Sequence, residues 1–473
     1  MATRGQNALV ALERARGDLQ GQLFRALRAR ILSGILPPGV RLPSTRQLAV
    51  SLGLSRSTVV SAYERLQAEG YVTNAAGKAS RVADIMPPIA APSRLPRPAP
   101  NTLPAPAQLP APLAPGVPDL AAFPSVQWGR LLASAARHLP GAELGYDAPF
   151  GLPALAKAIL AHIAVTRGVA AEPEQLLIFP STRAAIALLS RTVLRRTAPD
   201  TAPVWIEDPA YPSARQILRE AGARLVPVPV DGEGINVLQA AGLPPPCLIY
   251  VTPSHQYPTG VTMSLARRLS LLELARQTGA FILEDDYDSE FQFDGRPIAA
   301  LQGIDQVGTV IYLGTLSKVL APGLRLAYAI VPHGLLAEVQ RGVRLEGLAV
   351  SVHMQAAFLA FLREGHFGAH IRRMSTLYAA RMTRFREEVQ RACGAVAELG
   401  PGTGGLQLAL WFRNQNVGDG AVAASMQRQG YAPQPISPMY LGAPRAGLLC
   451  GIAGLMPERA RTAAADIAAA VAL

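Results

Sequence analysis

The chain has 473 residues, 49% of them hydrophobic and 16% charged, a balance that supports a large buried core in more than one domain and excludes overall disorder. Its formal net charge is +12, and its three scattered cysteines, Cys247, Cys393 and Cys450, have the spacing of neither a disulfide framework nor a zinc site. No apolar run is long enough to span a bilayer and the amino terminus lacks the apolar stretch of a signal peptide, so a cytoplasmic protein with no membrane partner is expected.

The basic excess is concentrated at one end. Residues 1–85 hold twelve Lys/Arg against five Asp/Glu, as expected for a nucleic-acid-binding module joined to a second domain; solvated helix faces are the alternative. In "LQGQLFRALRARILSGILPPG", Leu23, Leu27 and Ile31 recur every fourth residue, and Gly34 with Pro37 and Pro38 stops the helix. Ser44 caps a short helix carrying Leu48 and Leu52, with the turn at Gly53. Ser55 then caps a third helix whose inward stripe is Val59, Tyr63 and Leu66. "YVTNAAGKASRV" reads as two short strands around Gly77, completing a winged helix-turn-helix.

Residues 86–118 follow as a linker, with twelve prolines between Pro87 and Pro118 and no helical or strand period. Extended polyproline II at about 3.1 Å per residue gives it a reach of up to roughly 100 Å, ample to carry one domain across to a neighbouring subunit. Beyond it, residues 119–473 alternate strands and helices, the pattern of an α/β domain with a mostly parallel sheet. Four apolar runs, "PVWIE", "CLIYV", "AFILE" and "TVIYL", end in the polar loops "DPAYP", "TPSHQYPTG", "DDYDSEF" and "GTLSK". Ligands of open α/β sheets sit at the carboxyl ends of the strands, so these loops are expected to converge.

Among 45 Lys+Arg only Lys78, Lys157 and Lys318 are lysine. Arginine serves wherever charge alone is needed, whereas a lysine can lose its proton and form a Schiff base with an aldehyde. Lys318 therefore stands out, although a loop lysine in water is the bland alternative. Its neighbours supply what an aromatic aldehyde cofactor needs. Asp285 can hold a ring nitrogen protonated, Tyr287 can meet a ring oxygen, and Tyr211 offers a face for stacking. Thr315, Ser317 and Arg325 can hold a phosphate, aided by free N–H groups where Ser181, Thr182 and Arg183 turn into a helix. Pyridoxal phosphate fits that description. "EDDYDSEF" read simply as a solvated acidic loop is the competing view. "HFGAH", His366 to His370, has the spacing of a zinc helix without its glutamate, so packing is expected there and no metal site.

The stretches "ILPPGVRLPSTRQLAVSLGLSRSTVVSAYERLQAEGYV", "GVPDLAAFPSVQWGRLL", "LGYDAPFGLPALAKAI", "ILEDDYDSEFQF" and "YLGTLSKVLAPGLRLAY" together resemble the MocR subfamily of GntR-type bacterial regulators over nearly the whole chain. The resemblance implies a winged helix-turn-helix fused to a fold-type I aminotransferase-like domain. It makes Lys318 the Schiff-base lysine, Asp285 the pyridine-nitrogen partner and Tyr287 the ligand of the ring hydroxyl. Arg325, Thr315 and Ser317 match the phosphate site, and Arg445 looks like the arginine that pairs with the α-carboxylate of an amino-acid effector. On the DNA side it implies a third helix in the major groove, led by Arg56, Ser57 and Thr58 after Ser55. Arg41, Ser44 and Arg46 would lie at phosphates or base edges, and Lys78 on the wing. A homodimer sharing its sites is implied, with domain swapping allowed by the linker. The chain departs from the family at Tyr257, where aminotransferases usually carry asparagine, and at Pro212 and Ser213, which supply no arginine for a second carboxylate. Three functions are therefore open. The first is a DNA-binding regulator sensing an amine, an amino acid or the cofactor itself, the second an active aminotransferase with a DNA-binding appendage, and the third a repressor with an inert second half, which the intact Lys318, Asp285 and Arg325 set opposes.

Overall fold

Local periodicity and capping account for the first domain. The computed structural model describes residues 12–14, 17–73, 79–84, 109–146, 149–196, 202–240, 242–293 and 298–472. They fall into two compact units, Met1–Ala107 and Gln108–Leu473. In the first, α1 (Leu19–Leu32), α2 (Thr45–Leu52) and α3 (Arg56–Ala68) are followed by the antiparallel pair β1 (Val72–Thr73) and β2 (Arg81–Val82). Leu23, Leu27, Ile31, Leu48, Val59, Tyr63 and Leu66 are buried together, the stripes read from the sequence. Ser44 closes a capping box with Gln47, Gly53 takes the left-handed conformation that ends α2, and Ser55 caps α3 through the Thr58 N–H. The Tyr63 hydroxyl donates to the Pro43 carbonyl at 2.9 Å and fixes α3 against the start of α2. The expected wing contact Lys78 lies outside the described residues, as do Ala76 and Gly77.

The second unit is built on an eight-stranded sheet. Its strands are β3 (Leu176–Phe179), β4 (Pro203–Asp208), β5 (Arg224–Asp231), β6 (Gly234–Ile235), β7 (Leu248–Val251), β8 (Phe281–Asp286), β9 (Val310–Thr315) and β10 (Ala327–Ile330), in the order β3-β10-β9-β8-β7-β4-β5-β6. The four apolar runs singled out above are β4, β7, β8 and β9, mutually parallel neighbours, so their carboxyl ends emerge on one edge. β10 runs antiparallel between β9 and β3, which makes the sheet mixed. A smaller antiparallel sheet holds β11 (Ala397–Leu399), β12 (Gln407–Phe412), β13 (Gln434–Pro435) and β14 (Gly447–Gly451) in the order β11-β12-β14-β13. His366 and His370 open the 28-residue helix His366–Cys393; His370 is buried on the Val319 carbonyl at 3.0 Å, while His366 lies 3.1 Å from Glu364. Among the described residues no helix is long and apolar enough to cross a membrane.

The linker boundary expected at residue 118 is corrected by about ten residues. Residues 109–118 belong to the second unit. Leu113 is fully buried in its core with φ 67, and its carbonyl accepts from Gly451 N at 2.9 Å. The Pro112 carbonyl accepts from Ala432 N, and Asp119 pairs with Arg381 at 2.9 Å. Proline content marks extended chain without distinguishing a tether from an extended segment packed on a core. Replacing Tyr63 by Phe should lower the stability of the first unit by about 1 kcal/mol, because the Pro43 carbonyl loses its donor; urea denaturation of the purified variant and parent measures this directly.

Candidate functional site

The loops at the carboxyl ends of β3, β4, β7, β8 and β9 enclose a cavity of about 260 Å³. Its walls bring together Thr182, Arg183, Tyr211, Asp285, Tyr287, Thr315, Ser317, Lys318 and Arg325, every residue that the sequence nominated for the cofactor. They arrive from segments more than 100 positions apart, joined by the parallel register of the sheet.

The acidic run on β8 is sorted by its strand. Glu284, Asp285 and Asp286 are all buried, which rules out a solvated loop. Glu284 accepts from the backbone N–H groups of Leu301 and Gln302 at 2.8 and 2.9 Å. Burial alone would raise Asp286, but the Arg167 guanidinium at 2.9 Å and the Tyr312 hydroxyl at 2.5 Å hold its carboxyl below the usual range. Asp285 faces the cavity between these two. Its Oδ2 accepts from the Tyr250 hydroxyl at 2.6 Å, while its Oδ1 is buried without a partner. Burial is the main cause that pushes its pKa up to about 6, partly offset by the Tyr250 bond.

Lys318 sits across the cavity. Burial lowers its pKa, opposed by Tyr211 and Asp285, so its amine is more readily deprotonated than an exposed lysine. Its Nζ donates to the Gly116 carbonyl at 2.5 Å, and a Cβ on Gly116, where φ is +68, would stand 3.1 Å from that nitrogen. The other end of the cavity suits an anion. Ser181 caps the helix Thr182–Leu194, Thr315 Oγ1 accepts from Ser317 N at 3.1 Å, and Arg325 lines the same wall with φ 52. A non-glycine residue in that region costs energy that its surroundings must hold, and here the conformation lies at the residue carrying the guanidinium. Arg183 donates to the Tyr211 hydroxyl at 3.1 Å, and Tyr211, Tyr257 and Tyr287 contact edge to face at 5.2 and 6.1 Å.

Arg445 is a correction. It is outside this cavity and 53% exposed, its guanidinium 5.5 Å over the Trp411 ring and 3.5 Å from Glu398. Trp411 and Glu398 on β12 and β11 draw it to a different face, which spacing along the chain could not reveal. The sequence reading missed Gly116, Tyr250, Thr252 and Gln407, which line the cavity together with Tyr257, noted above at the position where aminotransferases usually carry asparagine. Tyr250 and Gln407 were legible in part, since a tyrosine or glutamine interrupting an apolar strand needs a polar partner. The buried Glu207, raised to about 7 mainly by burial, accepts from Thr252 and Gln256 and so shapes the loop that presents Tyr257.

In the first unit Arg56 and Ser57 are exposed at the leading turn of α3, with Thr58 half-buried beside them. Ser55 Oγ is 2.7 Å from Thr58 Oγ1 and 2.8 Å from Ser57 Oγ, and Ser44 is held by Gln47, so both cap residues also organise their helices. Arg41 and Arg46 are exposed. Many other arginines are committed internally: Arg14 to the Leu52 and Gly53 carbonyls, Arg25 to Asp18, Arg28 to Tyr71, Arg65 to Glu69, and Arg81 to the Gly39 carbonyl.

Residues 19–82 match the bacterial regulatory proteins of the gntR family, and residues 126–467 match aminotransferase class I and II. The probable rhizopine catabolism regulatory protein MocR of Rhizobium meliloti is 37% identical over 93% of this chain and 91% of its own length. The chain belongs to the MocR subfamily of GntR-type regulators. The pyridoxine biosynthesis regulator PdxR of Corynebacterium glutamicum is 32% identical, with 82% of each chain covered, and TauR of Rhodobacter capsulatus is 34% identical, with 79% of each covered. These relatives are HTH-type transcriptional regulators. The second unit shares its fold with the kynurenine aminotransferase of Pyrococcus horikoshii, at a TM-score of 0.70 and 22% identity over 77% of this chain and 91% of the other.

The raised Asp285 has a defined consequence for stability. The folded protein holds a proton that the unfolded chain releases, so this stabilising contribution is present below about pH 4 and lost as pH rises through about 6. Cofactor-free Asp285→Asn should therefore be more stable than its parent at pH 8, by up to about 3 kcal/mol, with the gap narrowing towards pH 5. Denaturant midpoints at the two pH values test the sign.

Proposed function

We propose that this protein is a DNA-binding transcriptional regulator whose second unit holds pyridoxal phosphate at Lys318 and responds to a small primary amine. The observation that carries the reading is the pairing, in one cavity, of a buried lysine amine with a buried carboxylate whose Oδ1 lacks a partner. The cofactor would supply an aldehyde for covalent capture and a ring that withdraws electrons.

The donor set fits that group. Asp285 Oδ1 is an acceptor awaiting the proton of a pyridinium nitrogen, which would also relieve the cost of burying its charge. Lys318 supplies the amine for covalent capture, and its lowered pKa favours the nucleophilic form. Thr182, Ser317, Thr315 and Arg325 would hold the phosphate, the first two through the helix N-terminus and the turn they begin or occupy. Arg183 stands beside them and orients Tyr211, whose ring would cover the cofactor. Tyr287 would donate to the ring oxygen. An incoming amine would release Lys318, and that release gives the effector a differential affinity for one state of the protein, without which no regulation is possible.

The DNA interface is assigned to the leading turn of α3. Arg56, Ser57 and Thr58 would meet base edges, with Arg41, Ser44, Arg46 and Ser55 at the phosphates, because the buried stripe of α3 leaves that turn exposed. Among the described residues Arg46 and Arg56 make no ion pair, which leaves both cations available to DNA. A homodimer would let two such helices address two half-sites.

Lys318→Ala should lose the visible absorption that pyridoxal phosphate acquires on linkage to lysine, while Lys78→Ala and Lys157→Ala retain it. A normal spectrum in Lys318→Ala would sink the assignment. Arg56→Ala should weaken operator binding by about 1 to 3 kcal/mol if the contact is bidentate to a base. An unchanged mobility-shift titration would remove α3 from the groove.

A further inference from the structure

The wall of the cavity beyond Tyr287 has a chemistry of its own. Among the described residues, the cations lining the cavity are Arg183, Lys318 and Arg325; Arg445 is not one of them. Arg325 lies at the anion end, and Arg183 is engaged with Tyr211. The same cavity is lined by Gln407, on β12, only 8% exposed. Its Nε2 donates to the Tyr287 hydroxyl at 3.3 Å, and its Oε1 is buried with no partner. The face of the small sheet that continues from Gln407 is apolar, since Ala409 pairs with Leu449 and both are buried with Trp411, Ile436 and Met439.

The orientation of the Gln407 amide follows from the role proposed for Tyr287. A phenol has one hydrogen, and if that hydrogen goes to the cofactor's ring oxygen, Tyr287 must accept from Gln407 Nε2. Gln407 Oε1 is then an acceptor without a partner, on a residue that lines the cavity. A carboxylate carries only lone pairs and cannot satisfy it, whereas a hydroxyl can. We infer that the ligand read by this pocket is a small primary amine bearing a hydroxyl near the amine and no carboxylate, selected by donation to Gln407 Oε1. This rests on the assignment of the cofactor to Lys318. In the exchange the ligand's amine would give up both N–H protons as its nitrogen takes the place of Lys318 Nζ in the carbon–nitrogen double bond, Lys318 would take up two and leave as a free amine, and nothing is oxidised or reduced.

Three probes share one carbon skeleton: 2-amino-1-propanol, alanine and isopropylamine. Each is titrated into the full-length protein loaded with pyridoxal phosphate, following the visible spectrum at one pH and correcting for the free-amine fraction. The amino alcohol should half-saturate at about tenfold lower concentration than either of the others, the scale of one buried hydrogen bond. Gln407→Leu should erase the advantage of the amino alcohol over isopropylamine, a ratio in which any general effect of losing the Nε2 bond to Tyr287 cancels. Tighter response to alanine, or an undiminished alcohol preference in Gln407→Leu, overturns the inference. Absence of any visible band in the loaded parent protein overturns the Lys318 assignment and this inference with it.

Discussion

Three consecutive carboxyl groups at the end of one buried strand are the constraint on which the second unit depends. A buried carboxylate without a partner is costly, and β8 carries Glu284, Asp285 and Asp286 side by side. Alternation along the strand separates them. Glu284 is spent on the N–H groups of a short helix, and Asp286 on Arg167 and Tyr312, leaving Asp285 as the only one of the three that faces the cavity. Asp285 and Asp286 each keep one buried oxygen without a partner, and of the two residues only Asp285 lines this cavity.

The opposite wall shows how much of the site is built by contacts remote in sequence. Gly116 comes from the proline-rich stretch, yet its carbonyl lies on Lys318 Nζ. Leu113 and Pro112 hold that stretch on Gly451 and Ala432, and Asp119 holds it on Arg381. The chain that leaves the first unit thus becomes pocket wall before it becomes helix. The hydrogen bond between Lys318 Nζ and the Gly116 carbonyl ties the segment that opens the second unit directly to the cavity.

In the first unit the same question, how charges are used, has a different answer. Five of its arginines are bonded to carbonyls, carboxylates or a tyrosine hydroxyl of its own surface, so net charge overstates what is free for a partner. What remains exposed on α2 and at the start of α3 is a small set, Arg46 and Arg56 with their neighbouring hydroxyls. Specific recognition needs few well-placed cations, and the internal bonds of the rest stabilise the helices that place them.

The sequence by itself determined the winged helix, because its caps, turns and four-residue stripes are interactions between residues a few positions apart. It also determined the strand ends and singled out Lys318, since lysine is rare here and strand-end loops must converge in a parallel sheet. Only the tertiary structure decided that Arg445 turns to Trp411 and Glu398 instead of the cavity, that residues 109–118 are packed and not tethering, and that Gln407 meets Tyr287. The physical reason is common to all three. Which way a side chain faces, and whether an extended segment is covered, depends on neighbours brought close by strand register, and those neighbours lie dozens to hundreds of positions away.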